Sequence, residues 1–249
     1  MKIDFIAKNK KIFEEIEDVP FPASKVYPKW LRELNSFFDK QMIDSYGTPM
    51  STIKKCVPFN DARTSGYYIP TPCDVWVENE NDIKVNLKWC GKNYELIRTD
   101  HPLQQIGKYP IPDHLNKSII FKWMNPWIIK TTKKWSCFYT HPMHFDDLPF
   151  YSLSGIVDTD KFPAAVNFPF FIKKGFKGLI EKGTPMIQVI PFKREKTYSS
   201  CYYSNGSHET LWNKACNVMF DRYKKYFHSP KEYSEVQIKK PKCPFGFSS

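Results

Sequence analysis

The sequence predicts a mainly β protein, a barrel or sandwich of short strands with short flanking helices near residues 29–42 and 207–227. Three observations lead there. Between Trp123 and Glu195, runs of β-branched and aromatic residues are broken by Gly, Pro and Asx turns. Proline outnumbers glycine, 20 to 10, and it suits edge strands and loops far better than helix interiors. Ile83, Val85, Leu87 and Trp89 alternate with polar residues, the period of a half-buried strand.

Taken in order, residues 1–19 mix charged and apolar side chains and read as an opening strand or arm. Trp30, Leu31, Leu34, Phe37 and Phe38 recur at helical spacing behind Pro28, which predicts an amphipathic helix packed on the core. Ile53 to Val77 reads as strands and tight turns around Gly66. Glu78 to Asp82 is a polar hairpin tip, and Leu96 to Leu115, with three prolines, is an irregular loop. Ser118–Trp123, Trp127–Lys130 and Met186–Phe192 are further strands. Ser207 is a candidate N-cap for a helix through Leu211, Ala215, Val218 and Met219 to about Phe227. The chain thus divides into an N-terminal arm and helix (1–60), a core domain (61–195), and a C-terminal helix with a basic tail (196–249).

At 249 residues, 41% hydrophobic and 16% aromatic, the chain can bury a core and is not of the disordered class. Its formal net charge of +11 is mostly lysine and suits a solvated face, an anionic ligand or an acidic partner. No recognition-helix, zinc-finger or RNP-like motif is present, so sequence-specific nucleic-acid binding is not expected. The seven cysteines (Cys56, Cys73, Cys90, Cys137, Cys201, Cys216 and Cys243) are odd in number and include no C-x-x-C pair. Reduced thiols are expected, without a disulfide framework or structural zinc. The N-terminus lacks the apolar region of a signal peptide, and no run of about 18 apolar residues exists. A cytoplasmic or virion location is expected, with no membrane segment.

Three constellations carry candidate chemistry. In Ser154-Gly-Ile-Val-Asp158-Thr-Asp160 an apolar pair leads into two carboxylates, placed by the pattern at a hairpin tip. Asp158 is the candidate general base and Asp160 the group that tunes it; the structural alternative is Asx-turn chemistry. His141 and His144, beside Asp146 and Asp147, suit a phosphate or carboxylate ligand or, as an alternative, a metal-dependent enzyme. Their H-x-x-H spacing in a loop matches no standard metal motif, so no resident metal is assigned. Lys193 and Arg194, at the end of a strand, suit the rim of an anion pocket or a solvated face.

Four pieces in order resemble the β-clip core of the dUTPase and dCTP deaminase superfamily across residues 61–194. Thr64-Ser-Gly66-Tyr67 resembles its Ala-Gly-Tyr-Asp motif. Trp127-Ile-Ile-Lys, a polar turn and Ser136-Cys-Phe-Tyr139 resemble the next strand pair. Ser154 to Asp160 resembles the Gly-Val-Ile-Asp hairpin, and Ile180 to Ile190 the Gly-Asp-x-Ile-Ala-Gln strand. The chain also resembles a family of unknown activity found in bacteria and tailed phages. The superfamily resemblance implies a β-clip fold, a homotrimer and Asp158 as the water-activating acid; with the basic rim, the residues expected to contact a ligand are Tyr67, Tyr68, His141, His144, Gln188, Lys193 and Arg194. The departures are specific. Tyr68 stands where an acid is required, the Pro-Arg-Ser phosphate motif is replaced by Thr140-His-Pro-Met-His144, and Ala164 to Phe168 offers no deaminase glutamate. The expected function is a divergent β-clip module binding an anionic small molecule or a protein partner, of phage or host, without a cofactor. The alternative is a dUTPase-like nucleotide hydrolase, which alone would bring Mg²⁺.

Overall fold

The computed structural model describes residues 1–38, 42–43, 47, 49–91, 95–98, 106–201 and 223–239. Strands dominate, and four antiparallel sheets form among the described residues. Five strands make the largest: β2 (Phe21–Pro22), β3 (Tyr67–Pro70), β9 (Trp135–Thr140), β11 (Gly155–Val157) and β14 (Pro185–Lys193), in the order β11-β9-β14-β3-β2. A second sheet has the order β10 (Phe150–Ser152), β12 (Phe168–Ile172), β7 (Phe121–Trp123), β6 (Ile97–Arg98). Hairpin β4 (Val75–Glu80)–β5 (Lys84–Trp89) carries β13 (Gly178–Ile180) on its outer side. The N-terminal β1 (Ile3–Ala7) pairs with β8 (Trp127–Thr131). The sheets pack as a sandwich and do not close into a barrel.

One core joins the sheets. Trp123 stacks on Phe170 at 4.0 Å and meets Phe150 edge-on, with Ile69, Val75, Val77, Ile129, Met186 and Val189 buried around them. Val85 and Leu87 are buried as the alternation predicts, but Ile83 is 79% exposed because it belongs to the turn. Asn81 and Asp82 take positive φ there, and the Asp82 carboxylate accepts from Asn79 and from the backbone of Gly175.

Several local expectations are corrected. The helix expected over 29–42 is only α2 (Lys29–Glu33). The chain turns extended at Leu34, and the carbonyls of Leu34 and Asn35 accept instead from Lys54 and Thr52. Of the helix expected over 207–227, residues 207–222 lie outside the described residues, and Tyr223–Phe227 form one π-helical turn. Two helices stand where strand or arm was expected. The first is α1 (Lys10–Glu15), capped by the Asn9 side chain; the second is α3 (Val57–Thr64), with Pro58 in its first turn. The loop from Leu96 to Leu115 contains the short β6. No helix among the described residues is long and apolar enough to cross a membrane. Cys56, Cys73, Cys90, Cys137 and Cys201 are free thiols.

Candidate functional site

The two acids do not stand at a hairpin tip. Among the described residues β11 pairs only with β9, and β12 joins another sheet, so Asp158 and Asp160 sit in the turn that leaves the edge of the large sheet. That turn faces Arg194, at the end of β14. The guanidinium donates to both oxygens of Asp160 at 2.9 and 2.6 Å, to Asp158 Oδ1 at 3.1 Å, to Ser136 Oγ at 2.7 Å and to the Trp135 carbonyl at 3.0 Å. Ser136 donates to the same Asp158 oxygen, and the Lys134 N–H donates to Asp160. The Arg194 bond holds the Asp160 carboxyl down at about 2. Between them Thr159 is buried, bonded to Thr131 and Cys137. These residues form a closed clamp that fastens β14 to the β9–β11 edge. Neighbouring Lys193 pairs with Glu195 on the surface.

The other candidates fall into two groups. Tyr67 lies near β1, edge-on to Phe5 and Tyr233. His141 is buried with both ring nitrogens engaged: Nε2 faces the Phe145 carbonyl at 3.3 Å, and Nδ1 faces the Ser152 N–H at 3.3 Å. Such an imidazole has no lone pair to offer a metal, and no cluster of three metal-ligating side chains occurs among the described residues. Burial pushes His141 down to about 4. Its folded pKa thus lies below the ordinary 6.5, so its contribution to stability is complete above about pH 6.5 and is lost as pH falls toward 4. The loss is about 3 kcal/mol, and His144, also lowered by burial, acts in the same direction. Urea unfolding at pH 7 and pH 4.5 checks this. His141→Gln should flatten the dependence, and an unchanged slope would assign it to other groups.

Tyr68 and Gln188 converge on the C-terminal turn of α3, and His144 packs on its first turn. The buried Tyr68 hydroxyl donates to the Arg63 carbonyl at 2.9 Å. Gln188 Nε2 donates to the carbonyls of Ala62 at 2.9 Å and Ser65 at 2.7 Å, and its Oε1 accepts from Met143 N at 2.9 Å. One side chain of β14 therefore caps the helix and holds the 141–145 loop. That loop brings His144, at φ +66°, flat against Phe59, with ring centroids 3.6 Å apart. Trp30 donates to the His144 carbonyl at 2.9 Å.

The residue these contacts position is Arg63, which the sequence reading did not single out. Arg63 is fully buried, four residues from Phe59 and so on the same helix face. Its Nη1 donates to the Val26 carbonyl at 2.6 Å, and its guanidinium lies 3.8 Å from the Tyr27 ring. Among the described residues Nε and Nη2, the side-on fork of the guanidinium, have no hydrogen-bond partner, nor does the buried Nε2 of His144. Among the described residues no carboxylate forms an ion pair with Arg63. A buried cation with two unpaired donors is costly, and a planar anion with two oxygens is the shape that fits this fork. The sequence signal was faint: an arginine in the last turn of a short helix looks like a group serving the helix dipole. No family model, no curated protein and no solved structure matches this chain.

Proposed function

We propose that the chain is a divergent β-clip-type binding module whose ligand is a small anion, a phosphate or carboxylate group, held by Arg63 with His144 beside it. One observation carries the reading: among the described residues, the bidentate edge of a fully buried arginine has no hydrogen-bond partner and no ion pair. Buried unsatisfied donors are rare and call for an explanation, and an oxyanion satisfies both at once. Tyr27, 44% exposed, covers one face of the guanidinium and is the side chain that would move to admit a ligand. The hydrolase reading is the weaker one, because Ser136 and Arg194 both donate to Oδ1 of Asp158 and the guanidinium beside it favours the unprotonated acid over one that takes a proton from water. A homotrimer remains part of the proposal, from the superfamily resemblance alone.

The test is calorimetry and thermal unfolding with inorganic phosphate, pyrophosphate and dUTP, on the wild-type chain and on Arg63→Met. At ten times its Kd, a bound anion should stabilise the wild type by about 1.4 kcal/mol, roughly 3–5 °C for this size. Arg63→Met should abolish that shift while keeping or raising the unliganded Tm, because it removes an uncompensated buried charge. No pyrophosphate release from dUTP with Mg²⁺ is expected. A wild-type chain indifferent to all three anions, combined with a marked loss of stability in Arg63→Met, would make Arg63 a structural arginine and end the proposal.

A further inference from the structure

A groove of about 790 Å³ runs along the N-terminal strand and is lined by residues other than those of the Arg63 cluster. β1 and the chain from Ser234 to Lys239 line it, together with Phe13, Val19, Tyr67 and Trp127. The hydrogen-bond register makes β1 chemically particular. β1 pairs with β8 antiparallel, Ile3 opposite Thr131 and Ala7 opposite Trp127. Thr132 N donates to the Lys2 carbonyl and Lys8 N donates to the Pro126 carbonyl. Lys2, Asp4, Ile6 and Lys8 therefore direct their backbone groups toward β8, and Ile3, Phe5 and Ala7 direct theirs away, into the groove. Among the described residues nothing bonds to those outward N–H and C=O groups. An unpaired strand edge over an apolar floor is a template for one more strand.

The charge at the rim selects the chemistry of that strand. The two carboxylates lining the groove are already paired, Asp4 with Lys2 at 2.7 Å and Glu235 with Lys25 at 2.6 Å. Lys10 only bridges Glu14 at 3.4 Å on open surface, and Lys239 has no ion pair among the described residues. Lys2, Lys10 and Lys239 line the groove against Asp4 and Glu235, which leaves its lining cationic by one charge on a chain of net charge +11. We infer that the open edge of β1 docks an extended acidic segment of a partner protein, which adds as the third strand of the β1–β8 sheet. Its alternate apolar side chains face Phe13 and Trp127, and its acidic ones face Lys10 and Lys239. The pairing spans the five residues of β1, about 17 Å of strand. This inference is independent of the anion site, since no residue is shared.

The experiment is fluorescence anisotropy on the full chain with three labelled heptapeptides. The first is Glu-Val-Glu-Ile-Glu-Val-Glu, the second has lysine in place of each glutamate, and the third is the acidic peptide N-methylated at alternate amides. The acidic peptide should bind, and the other two should bind at least tenfold more weakly, because one lacks charge complementarity and the other cannot donate to the strand edge. The double variant Lys10→Glu, Lys239→Glu should weaken the acidic peptide about tenfold without changing the melting temperature. Light scattering should show the same number of protein chains per particle with and without peptide. Equal binding of the N-methylated peptide, preference for the lysine peptide, or no binding at all would overturn the proposal. So would binding that appears only after residues 240–249 are deleted, which would make the chain's own tail the occupant. An oligomer that the peptide dissociates would make a second copy the occupant and overturn it as well.

Discussion

Replacing Gly66 by alanine is expected to abolish stable folding, with a loss of about 4 kcal/mol or more. Gly66 stands at φ +74°, and a Cβ there would lie 2.0 Å from the Val189 carbonyl oxygen and 2.9 Å from its carbon. Both atoms belong to the backbone of β14, the strand that pairs with β3 on one side and β9 on the other, so neither can yield without opening the sheet. Gly175→Ala supplies the control. It has nearly the same φ, +69°, but nothing within 4 Å of its Cβ. That variant should lose only about 1 kcal/mol, the cost of the left-handed backbone alone. Urea unfolding of the two variants separates close approach from conformation. Similar losses would mean that the turn before β3 shifts easily.

Gln188→Leu is expected to cost about 3 kcal/mol. The side chain volume is nearly kept, so the loss comes from polar groups. The Met143 N–H and the carbonyls of Ala62 and Ser65 lose their partner inside the protein. Each orphaned buried group costs about 1–3 kcal/mol, partly recovered where water can reach. The effect should extend to the anion site, because the same bonds hold the turn that carries Arg63 and the loop that carries His144. Hydrogen exchange would check it through faster exchange at Met143 and across 59–66. A loss under 1 kcal/mol, with those amides still protected, would show that water replaces the amide without disturbance.

The same residues show how far the sequence reached. Strand content, the β4–β5 hairpin with its polar tip, and the strand from Pro185 to Lys193 were legible, because period-2 alternation and turn residues are local properties of the chain. α3 was misread. Its aromatic and β-branched residues look like strand, and only Pro58 and the tertiary contacts with Gln188 and Tyr68 favour the helix. The early stop of α2 has the same origin, since carbonyls at 34 and 35 are claimed by residues 52 and 54. Phe37 and Phe38, expected on a buried face, are 45% and 50% exposed.

By itself, then, the sequence determined that this is a mainly β chain with a cationic surface, and it marked Tyr68, His144, Gln188 and Arg194 as residues worth placing. Tertiary structure decided what each of them does. Pairing in space joined Arg194 to two acids 36 and 34 residues away, the candidate general base Asp158 among them. It also set Gln188 against a helix more than 120 residues earlier and left the fork of Arg63 without a partner among the described residues. The physical reason is the range of the interactions. Propensity and periodicity act over a few residues, but whether a charge is paired, buried or free depends on which distant segments the sheets bring against it.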